Sequence, residues 1–247
     1  MIDLHCHLLH GIDDGPNTLE ESLALCRIAV ADGITRAVVT PHVHPGRWEN
    51  TRTSIDRARG HLQRVLENHE IPLQLGFAAE VRLTELVPAQ VEKGDIPFYG
   101  EVEGFQVMLL EFPHGEIIPG SHKLVQWLLG RGIRPLIAHP ERNRQIMKDV
   151  FQLQPFIDSG CWLQLTAGSV TGHFGERCQS VAHQLLELDV VKVVASDGHN
   201  AGTRPPVLSQ AFNDIVQKYG KEKAQRLILD TPATIVAGQF IEDAVAR

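Results

Sequence analysis

The chain has 247 residues, of which 43% are hydrophobic and 21% charged, enough to bury a core in one large domain or two small ones. The formal charge is −7, which disfavours general nucleic-acid binding because phosphate neutralisation needs clustered Lys and Arg. There is no membrane-length apolar run, no secretory signal, and no Cys-x-x-Cys pair among the four cysteines. These features predict a soluble cytoplasmic protein with reduced thiols, no nucleic-acid partner and no membrane insertion.

Short apolar runs alternate with helical patterns along the chain. Strands are predicted over residues 2–7, 36–40, 73–80, 106–112, 134–138, 161–166 and 190–196. The first helix begins at the capping box Thr18-Leu-Glu-Glu21 and ends before Gly33. Further helices are predicted over about 53–69, 84–93, 121–130, 141–159 and 175–188, followed by two helical patterns up to about 229 and a terminal helix after Pro232.

This order makes seven β-then-α units without a break in composition, so residues 1–247 are predicted to form a single domain. Apolar strands joined by helices indicate an α/β fold whose parallel sheet is covered on both faces. The pattern leaves open whether the sheet is doubly wound or closed into a barrel. Neither a Gly-x-Gly-x-x-Gly turn after the first strand nor a phosphate-binding P-loop is present.

Six of the seven predicted strands end in His, Asp or Glu. The first ends in His5-x-His7, and alternate residues of a strand face the same side. In a parallel barrel all carboxyl ends of the strands share one face, where active sites lie. With one aspartate from the first loop, nine groups of metal-ligand type are expected there: His5, His7, Asp14, His42, Glu80, Glu111, His139, Asp197 and His199.

A lone histidine or carboxylate at a strand end is more often solvated or paired with an arginine. That explanation would have to hold independently at six strand ends, so we favour a metal site. Mixed His and carboxylate ligands suit Mn²⁺, Fe²⁺ or Zn²⁺, and nine ligands are too many for one ion. Two or three ions fit this number of ligands. Clusters of two or three metal ions catalyse the hydrolysis of phosphate esters.

These motifs resemble the PHP (polymerase and histidinol phosphatase) superfamily. Within it, the opening Met-Ile-Asp-Leu-His-Cys-His resembles the bacterial metal-dependent tyrosine-protein phosphatases of the CpsB/CapC/YwqE type. Ile137-Ala-His-Pro-Glu-Arg142 and Ala195-Ser-Asp-Gly-His-Asn200, followed by Arg204-Pro-Pro206, resemble the same branch. The resemblance runs from residue 1 to about 240.

The resemblance implies a distorted TIM-like (β/α)7 barrel with two to three divalent ions, manganese first and iron or zinc as alternatives. It implies three ligand sets: His5, His7, Glu80 and Asp197; Glu80, Glu111 and His139; Asp14, His42 and His199. It also implies that Arg142 and Arg204 grip the substrate phosphate. His44, which follows a predicted ligand by two residues, is either a phosphate contact or an acid for the leaving group, and a solvated loop histidine is an equal interpretation.

The implied activity is hydrolysis of protein phosphotyrosine by metal-activated hydroxide, regulating a bacterial tyrosine kinase of capsule or exopolysaccharide production. A cysteine route is absent, since none of the four cysteines begins a Cys-x5-Arg phosphate loop. The alternative is a small-molecule phosphomonoesterase such as histidinol phosphatase. Two further interpretations are a noncatalytic metal-bound partner protein and a PHP exonuclease. The mostly short loops after the strands favour an open mouth and a protein substrate, while self-association into a homo-oligomer stays open.

Overall fold

Strands and helices alternate along residues 1–240, the part of the chain that this computed structural model describes. The strands are β1 (Ile2–Cys6), β2 (Arg36–Val39), β3 (His42–Val43), β4 (Gln74–Phe77), β5 (Glu80–Arg82), β6 (Glu101–Val102), β7 (Phe105–Glu111), β8 (Ile133–Ala138), β9 (Trp162–Thr166) and β10 (Val191–Ala195). The α-helices are α1 (Leu19–Ala31), α2 (Arg52–Asn68), α3 (Val87–Lys93), α4 (Ser121–Gly130), α5 (Gln154–Asp158), α6 (Ala167–Val170), α7 (Glu176–Glu187), α8 (Ser209–Tyr219), α9 (Lys221–Gln225) and α10 (Thr231–Ile235). A π-helical turn, Arg226–Asp230, joins the last two.

The strands form two parallel sheets, which confirms the predicted α/β class. One sheet has the order β1-β2-β4, and the other has the order β10-β9-β8-β7-β5-β3. The hairpin strand β6, which the sequence pattern did not predict, pairs antiparallel with β7. The strand predicted over 36–40 forms β2 and is followed, after a break, by the separate short strand β3, while the strand predicted over 73–80 is divided between β4 and β5; in each case the two pieces lie in different sheets. Pro41 lies in the first break, where its missing N–H interrupts the ladder.

Hydrogen bonds just beyond the strand ends bring β1 beside β10. The amide of Asp197 donates to the carbonyl of His5 at 2.7 Å, and the amide of His7 donates to the carbonyl of Gly198 at 2.8 Å. The strand pairs thus form two sheets rather than the single closed ladder expected of a barrel. The carboxyl ends of both sheets nevertheless meet at this junction.

The prediction of a mainly helical segment over 141–159 was wrong. The segment contains the 3₁₀ turns Pro140–Arg142 and Val150–Leu153, and a true helix begins only at α5. Asn143 explains the break, because its side-chain oxygen accepts from the amides of Gln145 at 2.9 Å and Ile146 at 3.1 Å. A side chain that bonds nearby backbone amides competes with the helix.

The predicted start of α1 is confirmed. The hydroxyl of Thr18 accepts from the amide of Glu21 at 3.2 Å, and the carboxylate of Glu21 accepts from the amide of Thr18 at 3.3 Å. Leu23 and Cys26 of this helix are buried against the strands, as their spacing predicted. None of the helices in residues 1–240 is long and apolar enough to span a lipid bilayer.

Candidate metal centre

The nine predicted ligand side chains lie around one mouth at the carboxyl ends of the strands. Eight are buried, and only Asp14, on the loop after β1, is substantially exposed, with 41% of its side chain accessible. Eight of the nine form three compact groups, within each of which all ligand atoms lie within 4.8 Å of one another: His5, His7, Glu80 and Asp197; His7, Asp14, His42 and His199; His42, Glu80 and Glu111.

The first group has the spacing of ligands around an ion. His5 Nε2 lies 3.3 Å from each of three atoms, His7 Nε2, Glu80 Oε2 and Asp197 Oδ1. Ligand atoms about 2.1 Å from a tetrahedral ion are roughly 3.4 Å apart. One imidazole N–H can donate to only one of these neighbours, whereas a cation at their centre would bind all four. The donor set therefore fits a divalent metal.

The other two groups differ in part from the sets that the resemblance implied. The group of Glu80 and Glu111 contains His42, while His139 Nε2 lies 2.7 Å from the other oxygen of Glu80, Oε1. The remaining group contains the three implied residues, with Asp14 Oδ1 3.3 Å from both His42 Nε2 and His199 Nε2, and adds His7. His7, His42 and Glu80 are each shared between two groups.

Three buried atoms in these groups have no hydrogen-bond partner. They are His42 Nδ1, His199 Nε2 and Asp197 Oδ1. Buried polar atoms are nearly always hydrogen-bonded, because losing water without replacement is unfavourable. Since all three belong to the predicted ligand set, divalent ions would satisfy atoms that the protein leaves without partners.

Two histidines are oriented by residues behind them. His7 Nδ1 donates to Asp13 Oδ2 at 2.6 Å, and His5 Nδ1 donates to Gln164 Oε1 at 3.0 Å. Each bond places the proton on Nδ1 and leaves the Nε2 lone pair facing the group, as metal-binding histidines require. Neither Asp13, which lies beside Asp14 in the first loop, nor Gln164, near the end of a predicted strand, was predicted from the sequence to take part in the site.

The charges of the mouth favour the ionised form of two carboxylates. Burial alone would raise the pKa of Asp197, but the positive charge of Arg142, followed by that of His5 in its protonated form and of Arg204, holds that pKa well below its usual range. Burial likewise opposes ionisation of Glu80, yet His5 and His42 lower its pKa. Carboxylates must be deprotonated to bind metal, so these shifts suit ligation.

Burial, followed by the charge of Arg142, lowers the pKa of His139 to about 3. His139 is thus neutral at physiological pH, the form in which imidazole binds metal. Glu111 differs, because burial and the charge of Glu80 raise its pKa. Among the described residues, Arg82 Nη1 donates to Glu111 Oε1 at 3.0 Å and opposes that rise.

Both predicted arginines reach one carboxylate oxygen. Asp197 Oδ2 lies 2.7 Å from Arg142 Nη2 and 2.6 Å from Arg204 Nη2. Arg142 lies on the 3₁₀ turn after β8 and Arg204 on the loop after β10. Neither arginine's Nε has a hydrogen-bond partner. Their guanidinium groups therefore line the mouth and retain donors for a bound anion.

Two predicted ligands have strained backbones. His139 has φ of 34° and Asp197 has φ of 53°, both in the left-handed region that non-glycine residues rarely adopt. His139 follows β8 directly and Asp197 follows β10 by two residues, and each turns the chain at the mouth. Strain of this kind persists only where the surrounding structure holds it, and it clusters at functional sites.

The mouth encloses a cavity of about 360 Å³. His44 lines it, as either of its proposed roles requires, and burial, followed by the charges of Arg82 and Arg47, lowers the pKa of His44. Trp48 stacks on His42 with ring centroids 4.7 Å apart and an angle of 10° between the planes. Trp48, Arg82 and His114 line the mouth but were not predicted from the sequence. Arg82 had a signal, because it follows Glu80 by two residues in one strand.

Of the remaining histidines, His114 also lines the mouth, with its Nδ1 3.6 Å from Glu111 Oε1. The histidines of helices α4 and α7 and the cysteine side chains do not line it. His122 pairs with Ser159 and His183 with Tyr219, as packing residues would. All four cysteines are free and buried. Burial raises the pKa of Cys26 and Cys161 to about 12, so these thiols stay protonated and unreactive at neutral pH.

Comparison with known proteins places the chain in a family. Residues 1–237 match the family model for capsular polysaccharide synthesis, CpsB/CapC. The chain is 32% identical to the tyrosine-protein phosphatase CpsB of Streptococcus pneumoniae over 246 residues, covering 98% of this chain and 100% of the relative.

Solved structures agree with the sequence match. A chain from the crystal structures of YwqE from Bacillus subtilis and CpsB from Streptococcus pneumoniae, described as unique metal-dependent tyrosine phosphatases, superposes with a TM-score of 0.89 at 30% identity, covering 98% of this chain and 96% of that one. A mutant organophosphorus hydrolase from Deinococcus radiodurans shares the fold alone, with a TM-score of 0.57 at 15% identity and coverage of 95% and 92%. The chain thus belongs to the CpsB/CapC family of capsular polysaccharide synthesis proteins.

Proposed function

We propose that this protein is a metal-dependent protein-tyrosine phosphatase. One observation carries the proposal: eight side chains of ligand type, with His139 in contact with one of them, converge on a mouth where Arg142 and Arg204 both reach Asp197. The names of the relatives, which are tyrosine-protein phosphatases, support the same activity. A cluster of this kind with paired arginines suits a phosphate ester, because planar guanidinium groups bind phosphate oxygens in pairs.

We propose two to three divalent ions, with Mn²⁺ preferred and Fe²⁺ or Zn²⁺ as alternatives. His5, His7, Glu80 and Asp197 would hold one ion, His139 and Glu111 would join Glu80 at a second, and Asp14, His42 and His199 would hold a third. When bound, such ions activate water at neutral pH and neutralise the charge of the phosphate. The shared position of Glu80 between two groups supports a bridging role.

The chain's own residues supply binding and orientation. Arg142 and Arg204 would donate hydrogen bonds to the nonbridging phosphate oxygens and hold the phosphorus over the ligand groups. The lowered pKa of His44 favours its neutral form, whose ring N–H would contact the phosphate; the alternative role is donation of a proton to the departing phenol oxygen. That assistance is modest for a tyrosine ester, since a phenol has a pKa near 10 and leaves more readily than an alkyl alcohol.

We infer that the domain predicted over residues 1–247 is a single phosphatase domain built as a distorted (β/α)7 barrel; its last seven residues lie outside the described part of the chain. With β2 and β3 counted as one staggered strand and β4 and β5 as another, the parallel strands follow one another in chain order. The hydrogen bonds from Asp197 to His5 and from His7 to Gly198 support closure between β10 and β1. The likeness to an organophosphorus hydrolase across 95% of the chain supports the same architecture.

We propose that the substrate is phosphotyrosine of a protein, with a bacterial tyrosine kinase of capsule or exopolysaccharide production as the partner. The family's description and the relatives' names support this assignment. The experiment compares turnover of a phosphotyrosyl peptide and of histidinol phosphate by the Mn²⁺-loaded protein. We expect faster turnover of the peptide and complete loss with a chelator. Faster hydrolysis of histidinol phosphate would move the assignment to a small-molecule phosphatase, and activity that survives complete metal removal would overturn it.

A further inference from the structure

A second cavity of about 440 Å³ lies beside the mouth. One wall is the segment after β9 that includes α6 and Phe174, and the other is the loop after β10 and the start of α8. Arg204 lines both cavities. The residue that we assign to the phosphate therefore also forms the boundary of the second space.

Both walls are held in place before any ligand arrives. Asn200 Oδ1 accepts from the amides of Gly202, Thr203 and Arg204 at 3.1, 2.8 and 3.2 Å. His173 Nε2 donates to the carbonyl of Thr203 at 2.5 Å, which ties one wall to the other. A preformed pocket binds with a smaller loss of conformational entropy than one that must order on binding.

The lining combines apolar surface with groups that can bond a backbone. Phe174, Val207 and Ala211 offer apolar contact, while Thr171 and Gln210 offer hydrogen-bonding side chains. No acidic side chain of the described residues lines the cavity, and Arg204 is positively charged. A basic side chain of a ligand would therefore have no ion-pair partner there and would be repelled by Arg204. The cavity is far larger than a phosphate group, and it adjoins the mouth at Arg204.

We infer that this flanking pocket, the cavity lined by Thr171, Phe174, Arg204, Val207, Gln210 and Ala211, binds an apolar residue adjoining the phosphotyrosine of a polypeptide substrate. The inference rests on the proposed function and narrows its substrate class. Phosphate held by Arg204 at the mouth places the neighbouring part of the peptide next to the pocket. Its side chain would contact Phe174 and Val207, and its backbone would meet the polar groups at the rim.

The test uses the Mn²⁺-loaded full chain and acetylated pentapeptides with a central phosphotyrosine and alanine elsewhere. Leu or Asn, which are similar in size, is placed directly before or directly after the phosphotyrosine. In one of the two placements we expect kcat/KM to be about tenfold higher for Leu than for Asn, the size expected for an apolar group entering an apolar pocket. The ratio of kcat/KM for the Leu peptide to kcat/KM for the Asn peptide is measured within each variant. A change at the metal centre alters both values equally and therefore leaves the ratio unchanged.

Gln210→Trp, which fills the pocket from α8, and Thr171→Trp, which fills it from the opposite wall, should each bring the ratio close to one. The matched control Gln217→Trp, two turns further along the same helix and outside the pocket, should keep the wild-type ratio. Because the two filling variants lie on separate walls, one remains informative if the other does not fold.

A wild-type ratio near one in both placements, or a ratio that both folded filling variants retain, would overturn the pocket assignment while free phosphotyrosine is still hydrolysed. Absence of turnover on free phosphotyrosine and on every peptide would instead overturn the proposed function, and this inference with it.

Discussion

At the scale of single residues, the candidate site depends on groups that lie behind the ligands as much as on the ligands. Asp13 illustrates this dependence, because its Oδ2 accepts from His7 Nδ1 at 2.6 Å and from the amide of His42 at 3.2 Å. One carboxylate thereby orients residues from two strands. Asp13 offers no ligand atom to any of the three groups.

Asp13→Ala should lower metal affinity about 10- to 100-fold, the usual loss when the residue that orients a ligating histidine is removed. The reason is that His7 loses the acceptor that keeps its Nε2 lone pair toward the ions. Equilibrium dialysis against Mn²⁺ measures the affinity. Asp56→Ala, at an exposed carboxylate whose partner is Arg59, is the control. Equal affinity for the Asp13 variant and the wild type would remove Asp13 from the site.

Arg142→Ala and Arg204→Ala should each reduce kcat/KM for a phosphotyrosyl peptide roughly 10- to 100-fold, the range expected for loss of a hydrogen bond to a charged group. Metal content should change little, since neither side chain is a ligand. Steady-state kinetics combined with elemental analysis makes the measurement, with Arg177→Ala on α7 as the control. Wild-type kinetics in both variants would exclude these arginines from phosphate binding.

At the scale of elements, the residue that follows α1 holds the start of α8 in place. Asp32, which follows α1, accepts from the amide of Leu208 at 2.6 Å and the amide of Ser209 at 3.0 Å. It also bonds the hydroxyl of Ser209. Asp32, 176 positions before Leu208 in the sequence, thus caps the start of α8. The first turn of α8 lines the flanking pocket.

Asp32→Ala should lower the free energy of unfolding by about 1 kcal/mol, the typical effect of losing a helix N-cap. Two backbone amides at the start of α8 would lose their acceptor. Urea denaturation followed by circular dichroism measures the change. Glu67→Ala, at an exposed position of α2, should shift the midpoint much less. A midpoint for Asp32→Ala equal to that of the wild type would mean that water replaces the cap without loss.

At the scale of the whole molecule, the candidate metal centre joins both sheets. Its groups draw on β1 of one sheet and on β3, β5, β7 and the segment after β10 of the other. In the absence of ions, several buried carboxylates and imidazoles meet at one point. Ions bound there would therefore stabilise the contact between sheets as well as serve catalysis.

Removal of metal should lower the melting temperature, and Mn²⁺ should restore it. An ion present at 100 times its dissociation constant stabilises the native state by about 2.7 kcal/mol, provided that it does not bind the unfolded chain. Differential scanning fluorimetry of metal-free and reloaded protein, with Mg²⁺ as a comparison ion, gives the shift. An unchanged melting temperature on loading would argue against ions that bridge the sheets.

The sequence by itself determined the alternation of strands and helices and the chemistry at the strand ends. His5-x-His7 was informative because strand alternation is local, and the capping box of α1 because it spans four residues. Only the tertiary structure decided which residues orient the ligands and where the segment 141–159 is helical. The bonds from His7 to Asp13, His5 to Gln164 and Arg82 to Glu111 depend on how loops and strands pack, and such contacts leave no periodic pattern. The same reason explains the false helix at 141–159, where Asn143 also donates to the carbonyl of Pro113, 30 residues away.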